Sequence, residues 1–222
     1  MSKMKKLYDY KTYTGLILLL IFFLITTYSI LKGYTREVDR LLLENVANFH
    51  TDFLTKMMTF FSFIGATRPV IVISILFLGV IYLKYRHLQD VILLALVSLG
   101  SVTLNVLLKM TIKRERPESS VIVESGYSYP SAHTMAAVSL YGMIIYLLWR
   151  HTPTIKARII LITFGVSMIL MIAFSRIYLG VHYASDIIGG VLISSFWLLT
   201  LLAIFQRYLK KEKKKSTQKD TC

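Results

Sequence analysis

The chain has 222 residues, with 26 Lys and Arg against 12 Asp and Glu, a formal net charge of +14. Hydrophobic residues make up 55% and charged ones only 17%, which excludes an ordinary soluble globule and suits one membrane-embedded domain. A lone cysteine, Cys222, excludes a disulfide framework and a C-x-x-C redox pair.

Taken in chain order, apolar runs at 15–31, 70–83, 91–108, 135–149, 159–174 and 187–205 each approach or reach the roughly 20 residues that cross a hydrocarbon core. The predicted architecture is an all-α bundle of six transmembrane helices, with flanking residues completing the shorter spans. The first run follows Lys3, Lys5 and Lys6 as a secretory signal would. It is longer than a signal core and lacks a small-residue cleavage site, so it reads as a retained helix. Between spans one and two, Val38, Leu42, Val46, Phe49, Phe53, Met57 and Phe60 recur every three or four residues, an amphipathic helix at the membrane interface. That stripe fits a connector packed on the bundle, and it also fits a rim that guides lipid headgroups. Pro69, Pro117, Pro130 and Pro153 all fall at predicted helix ends or in loops.

The positive charge is placed for a membrane and not for nucleic acid. Lys210, Lys211, Lys213, Lys214, Lys215 and Lys219 crowd into one segment after the last span, a juxtamembrane tail suited to anionic headgroups. The expected organisation is a membrane domain over 1–209 and a basic cytoplasmic tail over 210–222. Six spans put both termini on one side, and the Lys and Arg bias makes that side cytoplasmic. Three polar clusters then share the extracytoplasmic face of a multi-pass cell-membrane protein.

Those clusters are Lys109 with Arg116-Pro117, then Pro130-Ser131-Ala132-His133, then Ser175-Arg176 with His182 and Asp186. Cations and imidazoles beside a bilayer need an anion to converge on, and a phosphate fits best. His182 and Asp186, four apart at a helix start, lie one turn apart on one face. A carboxylate there fixes the imidazole tautomer and leaves the other nitrogen free to attack. Alone, the pair also fits a buried structural contact; the two further cationic clusters favour chemistry. His133 and Ser131 stand at the start of span four, where free backbone N–H groups favour an anion. His133 suits a general acid and base. Ser131 fits phosphate contact and, equally, a plain N-cap. Lys109, Arg116 and Arg176 supply a charge clamp for phosphoryl oxygens. Lys113, Arg114 and Glu115 read as solvated helix-end residues, and His50, His87 and His151 as surface residues. Gly180 and Gly189-Gly190 permit a tight loop and close helix packing. Among the motif residues only Asp186 is acidic, so no catalytic metal and no cofactor are expected.

The three clusters match K-x6-R-P, P-S-G-H and S-R-x5-H-x3-D, with one departure, Ala132 in place of glycine. This pattern resembles the type-2 phosphatidic acid phosphatase superfamily, which also includes bacterial acid phosphatases, glucose-6-phosphatase and vanadium haloperoxidases. The resemblance covers about the last half of the chain closely. It implies that His182 is the nucleophile forming a phosphohistidine, Asp186 its orienting partner and His133 the proton-transfer residue. It implies phosphate binding by Lys109, Arg116, Ser131, the Ala132 position and Arg176. Bacterial integral-membrane members act on undecaprenyl diphosphate, phosphatidylglycerol phosphate or phosphatidic acid, so a membrane lipid is the expected partner, with no nucleic acid and no protein partner. A phosphatase for soluble phosphates and a non-catalytic lipid-phosphate binder or transporter are the alternatives. If the glycine position needs positive φ or very close phosphate approach, Ala132 strains it and slows turnover.

Overall fold

A computed structural model describes residues 2–118 and 120–219, with side chains from 11 to 211 apart from Ser119. The tail lysine side chains at 213–219 and Cys222 fall outside the described residues. Among the described residues the regular secondary structure is all helix: α1 (Ser2–Leu31), α2 (Arg36–Ala47), α3 (Asp52–Gly65), α4 (Thr67–Tyr85), α5 (Leu88–Ile112), α6 (Ala132–Trp149), α7 (Ile155–Tyr178) and α8 (Ala184–Lys219). Six of these are long and apolar enough to span a membrane: α1, α4, α5, α6, α7 and α8. Each extends past the apolar run that predicts it. Leu88–Ile112, for example, encloses the run at 91–108, so flanking residues do complete the spans.

The bundle is built around α6, which packs on α5, α7 and α8, while α1 lies against α8. Its central core joins Leu93, Leu94 and Val97 of α5, Met143 and Leu147 of α6, and Leu198 and Leu202 of α8. The outward faces are equally apolar: Ile75, Leu99 and Ile160 are each more than 60% exposed. In water such continuous apolar surface would drive aggregation; in lipid it is the solvated face. At the end remote from the motifs, Arg150 Nη1 donates to Asp90 Oδ1 at 2.8 Å and ties the end of α6 to the start of α5.

The amphipathic stripe at 38–60 is divided between two helices. Thr51 breaks it: its Oγ1 accepts from Leu54 N at 3.3 Å and starts α3 afresh. The stripe also faces outward, with Val38, Leu42, Phe49, Phe53 and Phe60 all exposed. Val46 and Met57 of the same stripe pack against the cluster of Met58, Tyr178, Leu179 and Val181, so the stripe turns mostly outward and also docks on the bundle. The residues of α2 and α3 turned inward are Asp39, Met58, Ser62 and Gly65. His50 is a staple rather than a bystander, its Nε2 lying 2.8 Å from Tyr178 O at the end of α7.

Candidate active site

Four segment ends meet at one face: the end of α5, the start of α6, the end of α7 and the start of α8. Each is shaped locally. Lys113, with φ 50°, closes α5 by donating its N–H to Lys109 O at 3.0 Å. The following loop clasps itself, with Ser128 N donating to Arg114 O at 2.8 Å and Ser128 Oγ to Glu115 O at 2.9 Å. Asn105 Nδ2 donates to Pro130 O at 2.9 Å and fixes the entrance to α6. The turn between α7 and α8 folds back on Arg176, whose carbonyl accepts from Val181 N at 3.2 Å and His182 N at 3.3 Å. Gly180, at φ 69°, supplies the left-handed residue that this reversal needs. Arg176 and His182 are thus brought together across five intervening residues.

His182 is fully buried. Its Nδ1 lies 3.3 Å from Asp186 Oδ2, which also accepts from Tyr183 N at 2.9 Å. On the other side, Nε2 lies 3.2 Å from Arg116 Nη1. A guanidinium only donates, so Nε2 must accept and Nδ1 must carry the proton that bonds to Asp186. The i, i+4 spacing therefore yields the tautomer read from sequence. Burial, followed by the Arg116 and Arg176 charges, pushes the His182 imidazole down to about 3 against the opposing pull of Asp186. It is a neutral base with a lone pair facing the cations.

The structure brings Arg116 and Arg176 together beside His182, with Lys109 near enough to interact with both. Arg116 is anchored by Nη1 to Val181 O at 2.8 Å and by Nε to Gly126 O at 2.9 Å. Its own charge is weakened by burial. Arg176, 1% exposed, donates Nη1 to Ser62 Oγ, while its Nε has no hydrogen-bond partner among the described residues. Lys109 Nζ donates to Tyr127 O at 2.6 Å and lies in the field of Arg116, Arg176 and Asp186. Ser131 is buried and caps α6, its Oγ accepting from Thr134 N at 3.4 Å and Thr134 Oγ1 at 3.1 Å. Its hydroxyl proton is still available to an anion. Ala132 is the first helical residue and does not take positive φ, so the missing glycine causes no backbone strain there. His133, on the first turn of α6, feels the Lys109 and Arg116 charges. A Cβ on Gly65 would collide with Ile172 and come within 3.4 Å of the His133 ring, so α3 closes over the site only because that position is glycine. Gly189 works similarly. It leaves room for the Tyr129 ring, whose OH pairs with Thr27 Oγ1 at 2.8 Å, tying the motif loop to α1 and α8.

Sequence reasoning overlooked two features. Glu124, in the loop between α5 and α6, sits against both guanidiniums: it is ion-paired with Arg176, and its Oε1 is 3.6 Å from Arg116 Nη2. Arg114, read as a solvated helix-end cation, is instead 12% exposed and bonded to Asp186 and Asp39. Spacing from Arg116 gives no warning of either. A cleft of about 940 Å³ lies beside the site and shares Arg114 and Arg116 with it; Arg36, Arg40, Lys113 and Tyr183 also bound it, between the end of α1, α2 and the loop after α5.

An oriented imidazole facing Arg116, with Arg176 close by, suits a phosphatase, and comparison with known proteins defines the class. The model for the PAP2 superfamily matches residues 90–210. Phosphatidylglycerophosphatase B of Bacillus subtilis (strain 168) is 34% identical over 178 residues, covering 78% of this chain and 85% of that protein. Phosphatidylglycerophosphatase B of Escherichia coli (strain K12) is 36% identical over 81 residues, only 36% of this chain and 29% of that protein. The crystal structure of the transmembrane PAP2-type phosphatidylglycerolphosphate phosphatase from Bacillus subtilis superposes with a TM-score of 0.82 at 25% identity, covering 87% of this chain and 96% of that one. Aquifex aeolicus LpxE shares the fold, with a TM-score of 0.55 at 22% identity over 73% of this chain and 93% of that one. The chain belongs to the PAP2 superfamily. It is a multi-pass membrane enzyme, a lipid phosphatase.

Proposed function

We propose that the chain hydrolyses a membrane lipid phosphate or diphosphate through a phosphohistidine on His182, without a metal, at the extracytoplasmic face. The observation that carries this reading is the tautomer: Asp186 holds the Nδ1 proton, and the Nε2 lone pair faces Arg116 at 3.2 Å. In the first step Nε2 attacks phosphorus, and the bond from phosphorus to the leaving oxygen breaks. His133 gives that oxygen a proton. Asp186 stabilises the positive ring. In the second step His133 takes a proton from water, whose oxygen attacks phosphorus; the P–N bond breaks and its electron pair returns to Nε2. Inorganic phosphate leaves. Lys109, Arg116, Arg176, the Ser131 hydroxyl and the backbone at Ala132 hold the phosphoryl oxygens, so the chain's own cations supply the charge neutralisation that a metal provides elsewhere.

The substrate candidates are phosphatidylglycerol phosphate, undecaprenyl diphosphate and phosphatidic acid. The names of the relatives favour the first. Release of undecaprenyl diphosphate on the outer face keeps carrier-lipid recycling as a role to test. The catalytic unit proposed is 1–209, with 210–222 as a cytoplasmic tail; the clustering of lysines after α8 supports that orientation.

The test is phosphate release by purified protein in detergent with EDTA, from the three lipids at equal surface concentration and from a soluble phosphomonoester. The reading predicts release from at least one lipid at a rate above the soluble ester, and none from His182→Ala. Release that requires added divalent metal, or a fully active His182→Ala, contradicts it.

A further inference from the structure

The nucleophile's partner, Asp186, is itself held from a distant part of the chain. Arg114 Nη1 donates to Asp186 Oδ1 at 2.6 Å, and Nη2 donates to Asp39 Oδ2 at 2.7 Å. Asp39 belongs to the interfacial helix α2, yet it is only 2% exposed. Its Oδ2 accepts from Ser185 Oγ at 2.6 Å and its Oδ1 from Ser185 N at 3.0 Å, in the first turn of α8. The guanidinium also lies 4.3 Å from the centre of the Tyr183 ring. One largely enclosed cation, its side chain 12% exposed, therefore bridges two buried carboxylates, and the second carboxylate also caps the helix that carries the first.

The charge arithmetic gives this bridge a purpose. A lone Arg114 against Asp186 would neutralise the carboxylate that must stabilise positive charge on His182. Asp39 takes the Nη2 hydrogen bond, beside the two that Nη1 gives to Asp186 Oδ1 and Ser185 Oγ, and returns one negative charge to the cluster. Asp186 is then fixed in place without losing its field at Nδ1. A purely structural tie between α2 and α8 needs no contact with Asp186, and this one has it. We propose that Asp39 and Arg114 are positioning residues for the His182 nucleophile, acting through Asp186 and coupling the interfacial helix to phosphoryl transfer.

This rests on His182 being the nucleophile, so the test reads both. Asp39→Asn keeps the size and most of the hydrogen bonds but removes the charge. It is expected to lower kcat on the order of 10–100-fold, the scale seen when partners behind a working histidine are changed. KM, and inhibition by inorganic phosphate, should stay within about threefold, because Lys109, Arg116 and Arg176 remain intact. Arg114→Lys should fall in the same way, since an ammonium cannot bridge two carboxylates as a planar fork does. Glu37→Gln, on the exposed face of α2, should match wild type. Rapid-quench labelling should show phosphate reaching His182 more slowly in Asp39→Asn.

A well-folded Asp39→Asn with kcat within threefold of wild type overturns the proposal. So does a kcat loss matched by an equal loss of phosphate inhibition, because that signals collapse of the site. If Asp39→Asn is not monodisperse, Arg114→Lys decides by the same criteria. An active His182→Ala removes the underlying mechanism; an inactive His182→Ala beside an unimpaired Asp39→Asn removes only this inference.

Discussion

Arg116 Nη1 stands 3.2 Å from His182 Nε2, on the side of the ring opposite Asp186. The two flanking groups fix the imidazole between a proton acceptor and a proton donor, so the ring has one orientation and one tautomer. A phosphate bound to the Arg116 fork brings phosphorus to the lone pair. Arg116→Lys retains the charge and loses the fork. It should lower kcat/KM on the order of 10²–10³-fold, the effect of losing one preorganised donor. Steady-state kinetics on a lipid phosphate check this; a loss below threefold contradicts it.

Glu124 occupies the ground between Arg116 and Arg176 that the phosphoryl group is expected to take. A carboxylate and a phosphate compete there for the same donors. Glu124→Gln removes the competing charge. Inorganic phosphate should then inhibit more tightly, by roughly 3–10-fold if about 1 kcal/mol of competition is relieved. An unchanged inhibition constant would mean that the glutamate moves aside at no cost.

The neutral state of His182 has a consequence for stability. Its imidazole is pushed down to about 3 in the folded protein, mainly by burial, whereas an unfolded chain titrates near 6.5. Between those values the unfolded state binds a proton that the native state refuses. Stability from this group is complete above about pH 6.5 and falls as the pH drops toward 3. The thermal midpoint in detergent should decline from pH 7 to pH 4.5, and His182→Asn, which takes up no proton, should decline less steeply. Parallel slopes would show that His182 does not contribute. The acid limb of the rate profile should likewise owe nothing to protonation of His182 in the free enzyme.

Packing at Gly189 is a further point of leverage. The Tyr129 ring rests where a side chain would begin. Burial pushes its phenol up to about 12, so the OH stays protonated in its hydrogen bond with Thr27 Oγ1. Gly189→Ala should cost about 1–3 kcal/mol through overpacking and reduce activity by shifting the Pro130–Ser131 turn. Gly79→Ala, where a Cβ meets nothing within 4 Å, is the control. Equal thermal midpoints for the two variants would show that the Tyr129 contact is not tight.

Much of this site could be read from the chain because phosphoryl chemistry demands particular groups at particular helix ends, and the spacings place them there. Lys109, Arg116, His182 and Asp186 follow from that logic directly. Asp39, Arg114 and Glu124 do not. Arg114 sits two residues before Arg116 in a run of charges that resembles any solvated helix end, and burial is what distinguishes it. Asp39 was hidden by a habit of soluble proteins, in which the apolar stripe faces the core. At a membrane interface the apolar face turns to lipid, so most of the stripe from Val38 to Phe60 is exposed, Val46 and Met57 packing on the bundle, and the buried residue of α2 is an aspartate. The single helix expected there is broken by Thr51, whose capping bond overrides a periodicity that continues across it. Ala132 departs from the family pattern without strain because its backbone is already helical.

The central claim concerns a covalent bond to one nitrogen, and rapid-quench mass spectrometry with a 32P-labelled lipid phosphate in EDTA tests it most directly. Phosphate should appear on His182 within one turnover, stable in base and labile in acid, and be absent from His182→Ala. Turnover at the full rate with no labelled His182, or label on a different side chain, would contradict the account.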